Sequence, residues 1–134
     1  PYLRKVPKEP DMAKILIVDD DPDIVEASQL FLEKEGHTVA SAGSRAGGMA
    51  QVEAFQPDLL ILDVMMEQPD DGFVMAQELR RLGKRFPILM LTSVATASGL
   101  AFGKDDEMVP VDEFIPKPVD PATLVKTVAT LLAR

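Results

Sequence analysis

The sequence contains no cysteine among its 134 residues, which excludes disulfides, thiolate metal centres and a cysteine nucleophile. Long apolar runs are missing too. Leu59-Leu60-Ile61-Leu62 is among the longest, far short of the ~20 residues a membrane span needs. Positive charge is scarce, with 14 Lys and Arg against 22 Asp and Glu and a formal net charge of -8. No stretch gathers Lys or Arg on one face, so direct nucleic-acid binding, which draws on cation–phosphate contacts, is not expected. The first eleven residues are rich in proline and charge and do not resemble a secretory leader. These absences lead to the expectation of a cytoplasmic domain with no membrane segment.

What is present is ordinary globular composition, 46% hydrophobic and 27% charged. The length suits one domain, and chains near 150 residues bury roughly 68–70% of their unfolded surface, enough for a core without staples. Residues 1–12 read as a tail, an upstream linker or expression remnant ahead of Met12. The domain itself is expected over 13–134.

From Lys14 the pattern alternates. Ile15-Leu16-Ile17-Val18 is a short apolar run that suits a parallel strand buried on both faces. Asp21-Pro22 reads as an N-cap with proline in the first helical turn, and that helix ends at Gly36. A weaker strand around Val39 precedes a helix over 44–55. Strands follow at Leu59–Leu62, Ile88–Leu91 and Phe114–Ile115, with a helix from Phe73 to Leu82 after the first of them. Asp120-Pro121 repeats the cap device before a strong apolar stripe through Leu124, Val128 and Leu131. The stretch between Ser93 and Asp112 has poor helix chemistry, with a thin stripe from Ala95 to Phe102. Five strands alternating with about five helices predict an α/β parallel sheet covered on both faces.

In such sheets, ligands bind beyond the carboxyl ends of the strands, where the strand order reverses. The residues there are polar. The first strand ends in Asp19-Asp20-Asp21, the third in Asp63, the fourth in Thr92, and the fifth runs into Lys117. If the first and third strands are neighbours, Asp19, Asp20 and Asp63 converge. Two like charges about 4 Å apart repel by roughly 4 kcal/mol at an effective dielectric near 20, so a proton or a cation must offset them. Oxygen donors without His or Cys favour Mg²⁺. Carboxylates, a cation, a lysine and a hydroxyl together suit phosphoryl chemistry, with Asp63 as nucleophile.

The segments Ile17-Val18-Asp19-Asp20-Asp21, Leu62-Asp63-Val64-Met65-Met66, Leu91-Thr92-Ser93 and Lys117-Pro118 resemble a bacterial two-component response-regulator receiver domain, of the chemotaxis-regulator-like superfamily. The match covers Ala13 to Arg134. The resemblance implies a doubly wound, flavodoxin-like sheet of order 2-1-3-4-5 with about five helices, the fourth irregular. It implies that Asp63 accepts a phosphoryl group from a sensor histidine kinase or a phosphotransfer protein. Asp19, Asp20, Asp63 and the main-chain carbonyl of Met65 would hold Mg²⁺, or another divalent cation such as Mn²⁺, with Asp19 acting through water. Thr92 and Lys117 would bind the phosphoryl group, Thr92 and Phe114 would form the switch, and Lys117-Pro118 would be a cis bond. Such a domain is a phosphoacceptor regulator rather than a conventional enzyme, catalysing only its own phosphotransfer and dephosphorylation. It switches the binding of a downstream protein, and the resemblance leaves a homodimer open. The loop from Met66 to Gly72 is one residue longer than the family pattern, with Glu67 where proline is common. The segment from Ser93 to Asp112 is also longer.

Bland and rival readings stand beside this one. Asp21 is read as a helix cap rather than a metal ligand, His37 as a turn residue, and the seven methionines as core and loop filling. A flavin or nucleotide binder would face three aspartates where it needs amides for phosphate. An aspartyl phosphatase would commonly place a second acid where Met65 stands. The alternative within the family is a receiver-like interaction module that works without phosphorylation.

Overall fold

The structure, a computed structural model, describes residues 13–92 and 111–133. Five parallel strands, β1 (Lys14–Val18), β2 (Thr38–Ala42), β3 (Leu59–Asp63), β4 (Ile88–Thr92) and β5 (Glu113–Pro116), form one sheet of order β2-β1-β3-β4-β5. Four helices are described: α1 (Pro22–Lys34), α2 (Arg45–Phe55), α3 (Asp71–Arg81) and α4 (Pro121–Leu132). The helix expected around Ala95 to Phe102 lies outside the described residues.

Alternation along the strands divides the core into two layers. Leu16, Val18, Leu60, Leu62, Ile88 and Met90 face Val52 of α2 and Met75, Ala76 and Leu79 of α3. Ile15, Ile17, Leu59, Ile61, Leu89 and Leu91 face Leu32 of α1 and Leu124, Val128 and Leu131 of α4. Strands buried on both sides explain why their sequences read as continuous apolar runs rather than alternating ones.

The starts of α1, α2 and α4 follow the cap chemistry. Asp21 accepts from Asp23 N, Ser44 from Gly47 N, and Asp120 from both Thr123 N and Thr123 Oγ1. Gly36 and Gly83 take positive φ just beyond α1 and α3, a conformation that costs glycine little. One boundary differs from the sequence reading: α3 begins at Asp71, two residues before Phe73. The reason is local. The Asp71 carboxylate folds back onto Gln68 N at 2.8 Å, and Gly72 N donates to Val64 O at 2.8 Å, so the first turn closes against the loop. His37 does lie in the turn before β2, but buried, with Nδ1 accepting from Ala13 N at 3.2 Å.

Candidate functional site

The strand order puts β1 and β3 side by side, with Val18 opposite Leu62. The next residues, Asp19 and Asp63, therefore emerge together at the carboxyl end of the sheet. Both are buried, at 2% and 4% exposure, whereas Asp20 is exposed. One carboxylate oxygen from each of Asp19, Asp20 and Asp63 lies within 4.8 Å of the others. The convergence expected from the sequence is present.

Two further strands complete the site. Asp63 pairs with Leu91, so Thr92 is the next residue along the neighbouring strand, and it is buried. Thr92 pairs in turn with Pro116, and Lys117 N donates to Thr92 O at 2.6 Å. This bond holds Lys117 at the sheet end, and the Lys117–Pro118 peptide that follows is cis. Lys117 Nζ then lies 3.1 Å from Asp63 Oδ1 and 3.3 Å from Asp19 Oδ2.

Electrostatics follow from that geometry. Burial pushes the Asp63 pKa up from 3.8 to about 6, and the Asp19 charge adds to the rise. Lys117 and the Met65 N–H, which donates to the Asp63 carboxylate, oppose it without winning. For Lys117, burial disfavours the charge, but the hydrogen bond to Asp63 and the charges of Asp19 and Asp63 outweigh burial and raise its pKa. One ammonium thus faces two buried carboxylates, with that of Asp20 close by. Asp19 Oδ2 is the one buried side-chain nitrogen or oxygen among the described residues without a hydrogen bond, because its lysine contact has ion-pair distance but not hydrogen-bond geometry. An all-oxygen donor set with surplus negative charge and a buried orphan oxygen fits a hard divalent cation.

The remaining residues singled out from sequence fall into place differently. Met65 is exposed in the loop after β3. Phe114 is half-buried and pairs with Met90; both belong to the core layer beneath α2 and α3, the face that Thr92 shares by alternation. Asp21 caps α1, as expected. The sequence reading missed Gly72 and Asp71. A Cβ on Gly72 would run into the Asp63 carbonyl and come within 2.8 Å of Val64 Cα. The Asp-Gly step after a loop was the available signal, since it marks turns and close backbone approach.

A parallel sheet whose first and third strands end in buried aspartates, faced by a lysine after the fifth, defines a receiver class of signalling domain. The response regulator receiver domain family model matches residues 15–129, and the chain belongs to that family. RpaA of Synechocystis sp., a DNA-binding dual master transcriptional regulator, is 36% identical over 125 residues, covering 92% of this chain and 50% of RpaA. PilH of Pseudomonas aeruginosa is 32% identical over 124 residues, covering 91% of this chain and 99% of PilH. A crystal structure from Chloroflexus aurantiacus, provisionally described as a response regulator, has a TM-score of 0.80 at 34% identity. It matches 91% of this chain and 98% of its own. The chain spans about half the length of RpaA and of several other curated relatives. The domain is a receiver of two-component phosphorelay signalling, regulatory rather than a conventional enzyme. No described helix is long and apolar enough to cross a membrane.

Proposed function

We propose that Asp63 is the phosphoacceptor of this receiver, fed by a sensor histidine kinase or a phosphotransfer protein. The observation that carries the reading is the buried Asp63 carboxylate, 3.1 Å from Lys117 Nζ and grouped with Asp19 and Asp20. An Asp63 oxygen attacks phosphorus as the P–N bond of a donor phosphohistidine breaks, and the released imidazole nitrogen takes a proton from solvent. With its pKa held near 6, Asp63 is mostly ionised at neutral pH and able to act as nucleophile.

Asp19, Asp20, Asp63 and the Met65 carbonyl would hold Mg²⁺ or Mn²⁺. When bound, that cation supplies charge neutralisation between carboxylate and phosphoryl oxygens. Lys117 pairs with the transferred group, and the Thr92 hydroxyl donates to it. Phe114, on the same face as Thr92, follows the hydroxyl and passes the change to a partner surface. Return to the resting state is hydrolysis of the acyl phosphate within the domain.

The reading takes 13–134 as the receiver, with 1–12 as a tail, in a cytoplasmic protein. Its downstream partner is a protein, and the net charge of -8 argues against this chain touching nucleic acid itself. The test is intact mass after incubation with acetyl phosphate, with and without Mg²⁺. The expected result is one Mg²⁺-dependent phosphoryl adduct on the wild type and none on Asp63→Ala. An adduct of equal yield on folded Asp63→Ala would sink the assignment. No adduct on the folded wild type would favour a module that binds its partner unphosphorylated.

A further inference from the structure

The loop after β3 carries Met65 two residues beyond Asp63, and Gly72 N ties the start of that loop by donating to Val64 O at 2.8 Å. Its shape is set from below. Met66 N and Asp71 N both donate to Gln68 O, at 3.3 and 3.2 Å, and the Asp71 carboxylate receives Gln68 N at 2.8 Å. The Asp71 side chain is only 5% exposed, so this buried carboxylate needs more than one amide. Its other oxygen lies 3.6 Å from Arg45 Nε, reached from a different element.

Arg45 is oddly placed for a helix of its own. It opens α2, where the macrodipole disfavours a cation, and the first turn holds no acidic residue to offset it. Ser44 already caps the helix through Gly47 N. Nothing within α2 accounts for the charge, whereas Asp71 does. The chain from Arg45 to Asp71 to Gln68 leads into the loop bearing Met65, and so to Asp63.

We propose that Arg45 is a positioning residue for the metal and phosphoacceptor site, acting through Asp71 on the loop that carries Met65. The inference rests on the acidic cluster holding a divalent cation as argued above. It departs from simple charge addition, and the sign of one measurement separates the two. Removing a nearby cation would by electrostatics alone tighten Mg²⁺ binding to three carboxylates. Loosening the loop weakens it, as loss of groups that orient metal ligands generally does.

The experiment is calorimetric titration of the full chain with MgCl₂ for wild type, Arg45→Gln and Arg45→Lys, with metal-free melting temperatures for each. Arg45→Gln is expected to raise the Mg²⁺ Kd on the order of 3–10-fold, the lower end of what such orienting groups contribute, because the pair is partly exposed. Its metal-free melting temperature should stay within about 2 °C of wild type, as for most surface substitutions. Arg45→Lys should recover most of the affinity. An unchanged or tighter Kd for Arg45→Gln overturns the inference. So does a weakening that tracks lost melting temperature, or one that Arg45→Lys leaves unrepaired. Failure of the unaltered chain to bind Mg²⁺ at all would instead bring down the metal-site reading itself.

Discussion

The two ends of the sheet handle polar groups in opposite ways. At the amino end, Asp112 Oδ2 takes both Ile88 N at 2.8 Å and Arg80 at 3.1 Å, while Arg80 also donates to the carbonyls of Lys84 and Phe86. Nearby, Asp58 Oδ2 takes Lys14 N at 2.8 Å. Charges there meet partners, and the result is a clamp between α3, β4 and β5. At the carboxyl end two buried carboxylates share one lysine, a third lies beside them, and a buried Asp19 oxygen has no hydrogen bond. Satisfied polarity builds structure, while unsatisfied polarity of one sign stores an affinity for something the chain does not supply.

The sharpest way to break this contrast is at Gly72, where fold and site share atoms. Gly72→Ala drives a Cβ into the Asp63 carbonyl, which is main chain and cannot turn aside. A loss of about 3 kcal/mol is expected, at the upper end of overpacking costs, together with weakened Mg²⁺ binding. Urea melts with and without MgCl₂ would read both. A variant as stable as wild type would show that the β3–α3 contact gives way more easily than the packing implies. At the amino end, Asp112→Ala strips a partner from Ile88 N and from Arg80, at a cost of about 1–2 kcal/mol. Its Mg²⁺ Kd should match wild type. A shifted Kd would mean that the two ends are coupled and the contrast is false.

Much of this was legible before any coordinates. Runs such as Ile15–Val18 and Leu59–Leu62 mark strands buried on both faces, and the Asp-Pro steps at 21–22 and 120–121 mark helix starts, because burial and capping are written locally. Asp19, Asp63, Thr92 and Lys117 could be named because each ends a strand or directly follows one, and strand ends define the site in this architecture. Arg45 could not, and for Asp71 and Gly72 the Asp-Gly step marks a turn without naming the contacts it makes. Their roles depend on how α2, α3 and the β3 loop meet across gaps in sequence, and no local pattern encodes that distance. The two-residue error at the start of α3 has the same origin, since a long-range carbonyl contact and a folded-back carboxylate decide where the helix begins.

The smallest expected effect tests the carboxyl end alone. Removing one charge there should stabilise the metal-free protein, the reverse of what the amino end would do. Folding raises the Asp63 pKa from 3.8 to about 6, so the folded state holds its proton more tightly than the unfolded chain. Below about pH 4 both states are protonated and the residue contributes nothing. Between about 4 and 6 the unfolded chain ionises first, and stability falls across that window and stays lower above it. Asp63→Asn carries no such charge. Its stability should match wild type near pH 4 and exceed it by about 1 kcal/mol at pH 7.5, after allowance for solvent around the site. That difference corresponds to a melting-temperature gain of roughly 3–5 °C for a domain of this size. Mg²⁺ should close the gap by stabilising wild type in proportion to ln(1 + [Mg²⁺]/Kd) while leaving the variant behind. Thermal melts at the two pH values, with and without the cation, decide it. A variant less stable than metal-free wild type at pH 7.5 would mean that the Lys117–Asp63 pair outweighs both the burial of the charge and its repulsion with Asp19, and that the carboxyl end stores no strain for a cation to relieve.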